Sequence, residues 1–258
     1  MCLILFAWQS HPHYPLVVAA NRDEFHERPT SAADFWSESP DILAGRDLEA
    51  GGTWLGVSRN GRFGAISNYR EGQLRTSPRG YSRGNLVSDF LRDWTTPAQY
   101  AEQLRQKLDH YNGFNLLAGH ADSLVYTSNR ASKPMQVSPG VHGLSNHLLD
   151  TDWPKVNTGC ARLQSLLEDA QIDTEALLEL LADRSAGAGA RLSVEELRSE
   201  PEKLTRRIFI DSPVYGTRSS TVILMDRNGL VSFVERQFDA SGKIVATRHF
   251  EFGTGEPV

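Results

Sequence analysis

Cysteine is scarce in this chain. Only Cys2 and Cys160 occur in 258 residues, far apart and without CxxC or metal-ligand spacing, which argues against a disulfide framework and against a metal site. There are eight histidines, but no CxxCH, HExxH or paired-histidine spacing, so covalent haem and a zinc hydrolase site have no support. Basic residues are not in excess: 27 Lys and Arg face 32 Asp and Glu, for a net charge of -5. Nothing in that balance points to nucleic acid or to an anionic membrane surface as a partner. Long hydrophobic runs are missing too. The opening stretch Leu3-Ile4-Leu5-Phe6-Ala7-Trp8 is too short for a signal peptide or a spanning helix and has no basic segment before it. No membrane insertion is expected, and the chain reads as cytoplasmic, in a reducing compartment. The glycines around the arginine-containing stretch from Gly72 to Gly84 form neither a P-loop nor a dinucleotide fingerprint.

What is present is an ordinary globular composition, 40% hydrophobic and 23% charged, with one unusual placement. Cys2 follows Met1 directly and opens an apolar run. Removal of Met1 would leave a thiol nucleophile beside a free α-amine, which titrates near pH ~8 and can act as its base. The alternative is a small apolar residue beginning a buried strand.

The apolar run from Cys2 to Trp8, the break at His11-Pro12-His13-Tyr14-Pro15 and the second run Leu16-Val17-Val18-Ala19-Ala20 predict a hairpin of buried strands. It ends on the polar cluster Asn21-Arg22-Asp23-Glu24. Pro29 to Pro40 reads as loop. Asn60-Gly61 between two strand-like runs predicts a second hairpin, leaving Asn68-Tyr69-Arg70 at its exit. Helical periodicity follows over Asn85–Trp94 and Pro97–Leu108, then strands over Phe114–Gly119 and Leu124–Ser128, and a short strand from Gly140 to Ser145 ends at Asn146-His147. Helices are expected over Lys155–Ala170, with Cys160 on its apolar face, and over Asp173–Ala182. Ser193–Lys203 reads as a mobile surface insertion. A meander over Ser219–Met225, Leu230–Phe238 and Lys243–Phe252 completes the chain. Blocks of hairpins alternating with blocks of helices suit α+β layers in one domain over residues 1–258, rather than a parallel doubly wound sheet.

Four motifs in order, Met1-Cys2, Asn21-Arg22-Asp23-Glu24, Gly51-Gly52-Thr53-Trp54-Leu55-Gly56 and the run from Tyr215 to Leu224 (YGTRSSTVIL), resemble the NRDE-domain family, also called the transport and Golgi organization family. The resemblance runs essentially from end to end. Members of that family resemble N-terminal-nucleophile hydrolases, which implies a four-layer αββα sandwich of two antiparallel sheets. In that superfamily the bile-salt hydrolases and penicillin V acylases begin Met-Cys, lose the methionine and attack amides with the exposed cysteine. Carried over, the resemblance implies Cys2 as nucleophile, Asp23 as acceptor for the terminal amine, Asn68 and Asn146 as polar active-site positions, and Arg218 as the late arginine. Their arginine ahead of the aspartate is not matched in spacing, since Ala20 stands there and Arg22 is shifted.

From the residues alone, Arg22 with Asp23 reads equally as an ion pair at the sheet end, Asn68 as a hairpin cap, and Glu24 as a tie for the following loop. Arg22 or Arg218 would lower the thiol pKa. Asn21, Glu24, Tyr69, Arg70 and His147 are the candidate ligand-binding residues, with Arg75, Arg79 and Arg83 as further cations and His26 as a second candidate near the rim. His11 and His13 are expected in solvent. Two functions follow. One is a cysteine amidase or acyltransferase acting on a small acylated molecule, with no cofactor required. The other, which the resemblance brings with it, is a carrier for haem or a lipid-like ligand in the same pocket.

Overall fold

The structure, a computed structural model, describes residues 2–70, 80–187 and 191–255. Met1, Arg75, Arg79 and the Ala188-Gly189 pair lie outside the described residues. In chain order the strands are β1 (Cys2–Trp8), β2 (Leu16–Phe25), β3 (Thr30–Trp36), β4 (Ser39–Asp47), β5 (Leu55–Ser58) and β6 (Arg62–Asn68). Helices α1 (Gly84–Arg92) and α2 (Pro97–Arg105) follow, then β7 (Phe114–His120), β8 (Ser123–Ser128), β9 (Met135–Gln136) and β10 (Gly140–Leu144). The rest comprises α3 (Pro154–Leu166), α4 (Thr174–Leu181), α5 (Val194–Ser199), β11 (Tyr215–Met225), β12 (Leu230–Phe238) and β13 (Ile244–Gly253). Two compact units result, one of Met1–Glu27, Pro139–Ser145 and Asp150–Glu251, the other of Arg28–Ser138, Asn146–Leu149 and Phe252–Val258. Among the described residues no helix is long and apolar enough to cross a membrane.

The first unit is built on a six-stranded sheet in the order β10-β1-β2-β11-β12-β13, all antiparallel where pairing is defined. Because side chains alternate along a strand, Leu3, Leu5, Ala7, Val17, Ala19, Val222 and Leu224 share one face, where Val156 and Leu163 of α3 and the leucines of α4 cover them. Ile4, Phe6, Val18, Ala20 and Ile223 point the other way and are buried as well, so these strands are continuous apolar runs rather than alternating ones. Helix α3 lies unusually close to the sheet. A Cβ on Gly143 would sit 2.5 Å from Val156 Cγ1 and 2.9 Å from Cys160 Sγ. Gly143→Ala is therefore expected to overpack this contact and lower stability by about 1–3 kcal/mol in chemical denaturation.

The second unit carries a seven-stranded sheet in the order β3-β4-β5-β6-β7-β8-β9. Leu86, Val87, Phe90 and Leu91 of α1 and Tyr100 and Leu104 of α2 pack on Ile66, Phe114, Leu116 and Ala118. Thr96 and Gln99 form a capping box at the start of α2, with Pro97 in its first turn, the combination that satisfies a helix start. Arg62 is buried and closes the other end of α1. Its Nε donates to Phe90 O at 2.8 Å, its Nη2 donates to Thr95 O at 2.8 Å, and its guanidinium lies 4.0 Å from the Phe90 ring centroid. Gly61 adopts φ +80° in the β5–β6 turn, the left-handed conformation that the Asn-Gly pair supplies cheaply.

Three expectations are corrected. Pro29 to Pro40 is not loop, because β3 and the start of β4 occupy it, with register shifts between Ser31 and Asp34 and between Phe35 and Trp36. Those irregularities erase the period-2 pattern that would have marked strands. Ser193–Lys203 is anchored rather than a loose insertion: α5 has a capping box of Ser193 and Glu196, and Leu197 is buried. His11 is buried. Its Nδ1 accepts from the backbone N–H groups of His13 and Tyr14, both at 3.2 Å, so the ring closes the turn, while His13 is exposed as expected.

Candidate active site

The predicted residues fall into two groups, one in each unit. In the first unit Cys2 pairs with Arg22 across β1 and β2, and Ser145 Oγ donates to the Cys2 carbonyl at 2.7 Å, fixing the strand end. Paired residues of an antiparallel ladder share a face. Cys2 and Arg22 therefore lie on the face away from α3 and α4, whereas Asn21 and Asp23 lie on the helical face with Val17 and Ala19. The thiol is held above its ordinary range chiefly by burial, and also by the Asp23 charge, against the positive chain terminus, a hydrogen bond from the Asp23 backbone and the Arg22 cation, in falling order. Arg22 thus acts in the expected direction but is outweighed, and the thiol stays protonated at neutral pH.

Asp23 is 2% exposed. Thr217 Oγ1 donates to its Oδ1 at 2.7 Å, and Tyr215 Oη donates to its backbone carbonyl at 2.8 Å. Burial pushes the carboxyl up to about 6, although the positive chain terminus, the Lys155 cation and the Thr217 hydrogen bond pull it down. Lys155 itself, in the first turn of α3, is 0% exposed, and its Nζ lies 5.8 Å from the Trp153 ring centroid. Arg218 stands in a β-bulge, since the register of β11 against β2 shifts between Thr217 and Ser219. Its Nη1 donates to Phe25 O at 2.9 Å. Asn21 is committed to the fold: its amide donates to Leu181 O and Ile208 O, both at 2.9 Å, and accepts from Ser220 Oγ at 2.6 Å. Glu24 Oε1 accepts from the Phe25 N–H at 2.8 Å. His26 Nε2 lies 3.1 Å from Ser212 O.

In the second unit, the segment Asn146–Leu149 is laced to β6, β7 and β8. Asn146 Nδ2 donates to Asn68 O at 2.8 Å, and the Arg70 N–H donates to Asn146 O at 2.8 Å. The Asn68 side chain is exposed and Asn146 is buried. Tyr69 Oη and His147 Nε2 are 2.9 Å apart, so that nitrogen would have to leave the tyrosine to ligate an iron. Asn115 is the hub. It donates to His147 O at 2.9 Å and to Ser67 Oγ at 3.1 Å, and accepts from Tyr126 Oη at 2.8 Å. Arg83 donates to Gly113 O at 3.1 Å, a contact internal to this unit. Among the described residues no cluster of three or more His, Cys, Asp or Glu side chains is arranged to hold a metal ion.

The sequence pattern described as Transport and Golgi organisation 2 matches residues 1–240. The chain belongs to this family. A mouse relative, Transport and Golgi organization 2 homolog, is 35% identical over 274 aligned residues that cover 98% of this chain and 99% of that protein. Two solved structures share the family member's fold. One is the N-acylethanolamine-hydrolyzing acid amidase ortholog of Caenorhabditis elegans, with a TM-score of 0.51 and 10% identity, covering 86% of this chain and 92% of that one. The other is the C2A mutant of conjugated bile acid hydrolase from Clostridium perfringens, with a TM-score of 0.52 and 9% identity, covering 98% and 92%. This member of the Transport and Golgi organisation 2 family thus has the fold of these hydrolases, α+β with two antiparallel sheets.

Sequence reasoning missed Lys155, Thr217 and Tyr215 around Asp23, and Asn115 around His147. The last carried a signal: an asparagine inside the apolar run Phe114-Asn115-Leu116-Leu117 has to find internal partners once the strand is buried.

Proposed function

We propose that this protein is an amidase or acyl-transferring enzyme acting on a small acylated molecule, with Cys2 as nucleophile after loss of Met1 and Asp23 as the group that orients the freed α-amine. The observation that carries this reading is the Cys2 thiol at the start of a buried strand, desolvated and protonated, within electrostatic reach of the buried Asp23 carboxyl on the other face of the sheet. A thiol in that state needs a base at the moment of attack, and a terminal amine is one that travels with it. In the reaction the sulfur bonds to the acyl carbon, the thiol proton passes to the amine, the C–N bond breaks, and the departing amine takes that proton. Water or a second amine then resolves the thioester. Two proteins of the same fold are named as an amidase and a hydrolase, one of them solved as its C2A mutant, and that supports reading position 2 as the reactive one. Residence in a reducing cytoplasm belongs to the same proposal, because it would keep Cys2 as a thiol.

The test is intact-mass analysis before and after exposure to p-nitrophenyl hexanoate. The expected result is a chain lacking Met1 and a single hexanoyl adduct on the peptide that begins at Cys2. Retained Met1, or an adduct confined to Cys160, would defeat the proposal. Cys160 is the internal control, since burial pushes its thiol up to about 12 where it packs from α3 against the core.

A further inference from the structure

One row of side chains crosses the first unit's sheet beside the thiol. Cys2 pairs with Arg22 on one side, and Ser219 pairs with Arg22 on the other. The bulge sets two residues, Arg218 and Ser219, opposite the single Arg22, the arrangement by which a bulge re-aims a side chain at a sheet end. The hydroxyls on either side of these two are already engaged on the helical face, Thr217 with Asp23 and Ser220 with Asn21. Ser219 is different. It is 4% exposed, and its Oγ has no hydrogen-bond partner among the described residues. A buried hydroxyl in a native sheet normally has one, so this oxygen points to a partner outside the chain.

The charge around that hydroxyl is positive. Arg22 is 5% exposed. The Arg218 guanidinium is held below its ordinary range first by burial and then by Arg22, with Glu24 opposing. Two guanidiniums against one carboxylate, with the terminal amine adding positive charge beside Cys2, make this face favourable to an anion. Paired guanidiniums with a neighbouring hydroxyl suit the two oxygens of a carboxylate.

We propose that Arg22, Arg218 and Ser219 form a carboxylate subsite beside the Cys2 thiol, so that the molecule acted on is an acylated compound that carries a carboxylate. The assignment rests on the amidase reading for the role of Cys2, but the subsite is testable without it.

Two alkylating reagents of nearly equal size, one anionic and one neutral, separate the possibilities. Iodoacetate carries a carboxylate and iodoacetamide does not, while both report the same thiolate fraction, so their rate ratio at Cys2 isolates recognition of the carboxylate from thiol activation. In the purified full chain at pH 8.5, the iodoacetate to iodoacetamide ratio at Cys2 is expected to exceed that of free cysteine by about tenfold, as a focused positive site would give. It should fall toward the free-cysteine ratio in Arg218→Gln and, by a smaller factor, in Ser219→Ala, which removes only a hydroxyl and leaves the backbone contact of Arg218 intact. A wild-type ratio at or below that of free cysteine, or one unmoved in both variants, overturns the subsite.

If iodoacetamide fails to label Cys2 at all, the amidase reading is what fails. The subsite is then decided by thermal shift, with hexanoate expected to raise the melting temperature of wild type more than hexanol does and to lose that advantage in Ser219→Ala. Equal shifts from the two compounds overturn it.

Discussion

Cys2→Ala is expected to reduce amide or ester turnover by about 10⁴-fold or more, the order seen when the nucleophile is removed from an acyl-transfer enzyme. Cys160→Ala should leave turnover unchanged. The contrast follows from where each thiol lies. Cys160 packs from α3 against the core, within reach of Gly143. Cys2 begins β1 beside Arg22 on the face away from the helices. Stability should separate them in the opposite sense, because Cys160 belongs to a close-packed contact and Cys2 stands at the first position of its strand. Steady-state kinetics on a chromogenic hexanoyl substrate, with denaturation of both variants, reads the two effects together. Turnover lost equally in both variants would point to a structural cause.

The second large effect is a gain of stability. Burial raises the Asp23 carboxyl from an ordinary 3.8 to about 6, so between those values the folded chain keeps a proton that the unfolded chain has released. Stability must therefore fall as pH rises through that window and remain lowered above it. At about 1.4 kcal/mol per pH unit the burden at neutral pH is at most about 3 kcal/mol. Asp23→Asn keeps an acceptor for Thr217 but carries no charge. It should flatten the pH dependence of stability between about pH 4 and 6 and make the chain more stable than wild type at pH 7, while lowering turnover. Lys155 loses its counter-charge in this variant, which trims the gain. Thermal unfolding from pH 4 to 8 checks the prediction, and a variant that is less stable than wild type at pH 7 would contradict it. A residue that weakens the fold in the state the chemistry needs is the signature expected of a functional position.

Much of this fold was legible because long apolar runs dominate it. The hairpin of β1 and β2 shows as two runs broken by a proline-containing turn, and the second hairpin shows at Asn60-Gly61. Helices α1 to α4 begin and end within a few residues of where periodicity and Pro97 or Pro154 put them. Strands β3 and β4 were illegible because bulges scramble their alternation. The environment of Asp23 was illegible for a different reason. Lysine is assigned to solvent by default, and only the packing of α3 against the sheet makes Lys155 an interior charge. The opposite facing of Cys2 and Asp23 was within reach of the sequence, since pairing Cys2 with Arg22 fixes the parity of every residue on β2. What sequence lacked was the register itself, which depends on the turn between the strands.

The position of β2 in its sheet has a consequence for synthesis. It lies between β1 and β11, and the hydroxyl that bonds Asp23 comes from Thr217, 194 positions later. As the chain leaves the ribosome, β1 and β2 emerge early and wait as an apolar hairpin with an open edge until β11 is made. Such long-range closure is slow and leaves the waiting edge open to mispairing. A chain terminated before Tyr215 would carry the thiol and the aspartate without the strand that holds them.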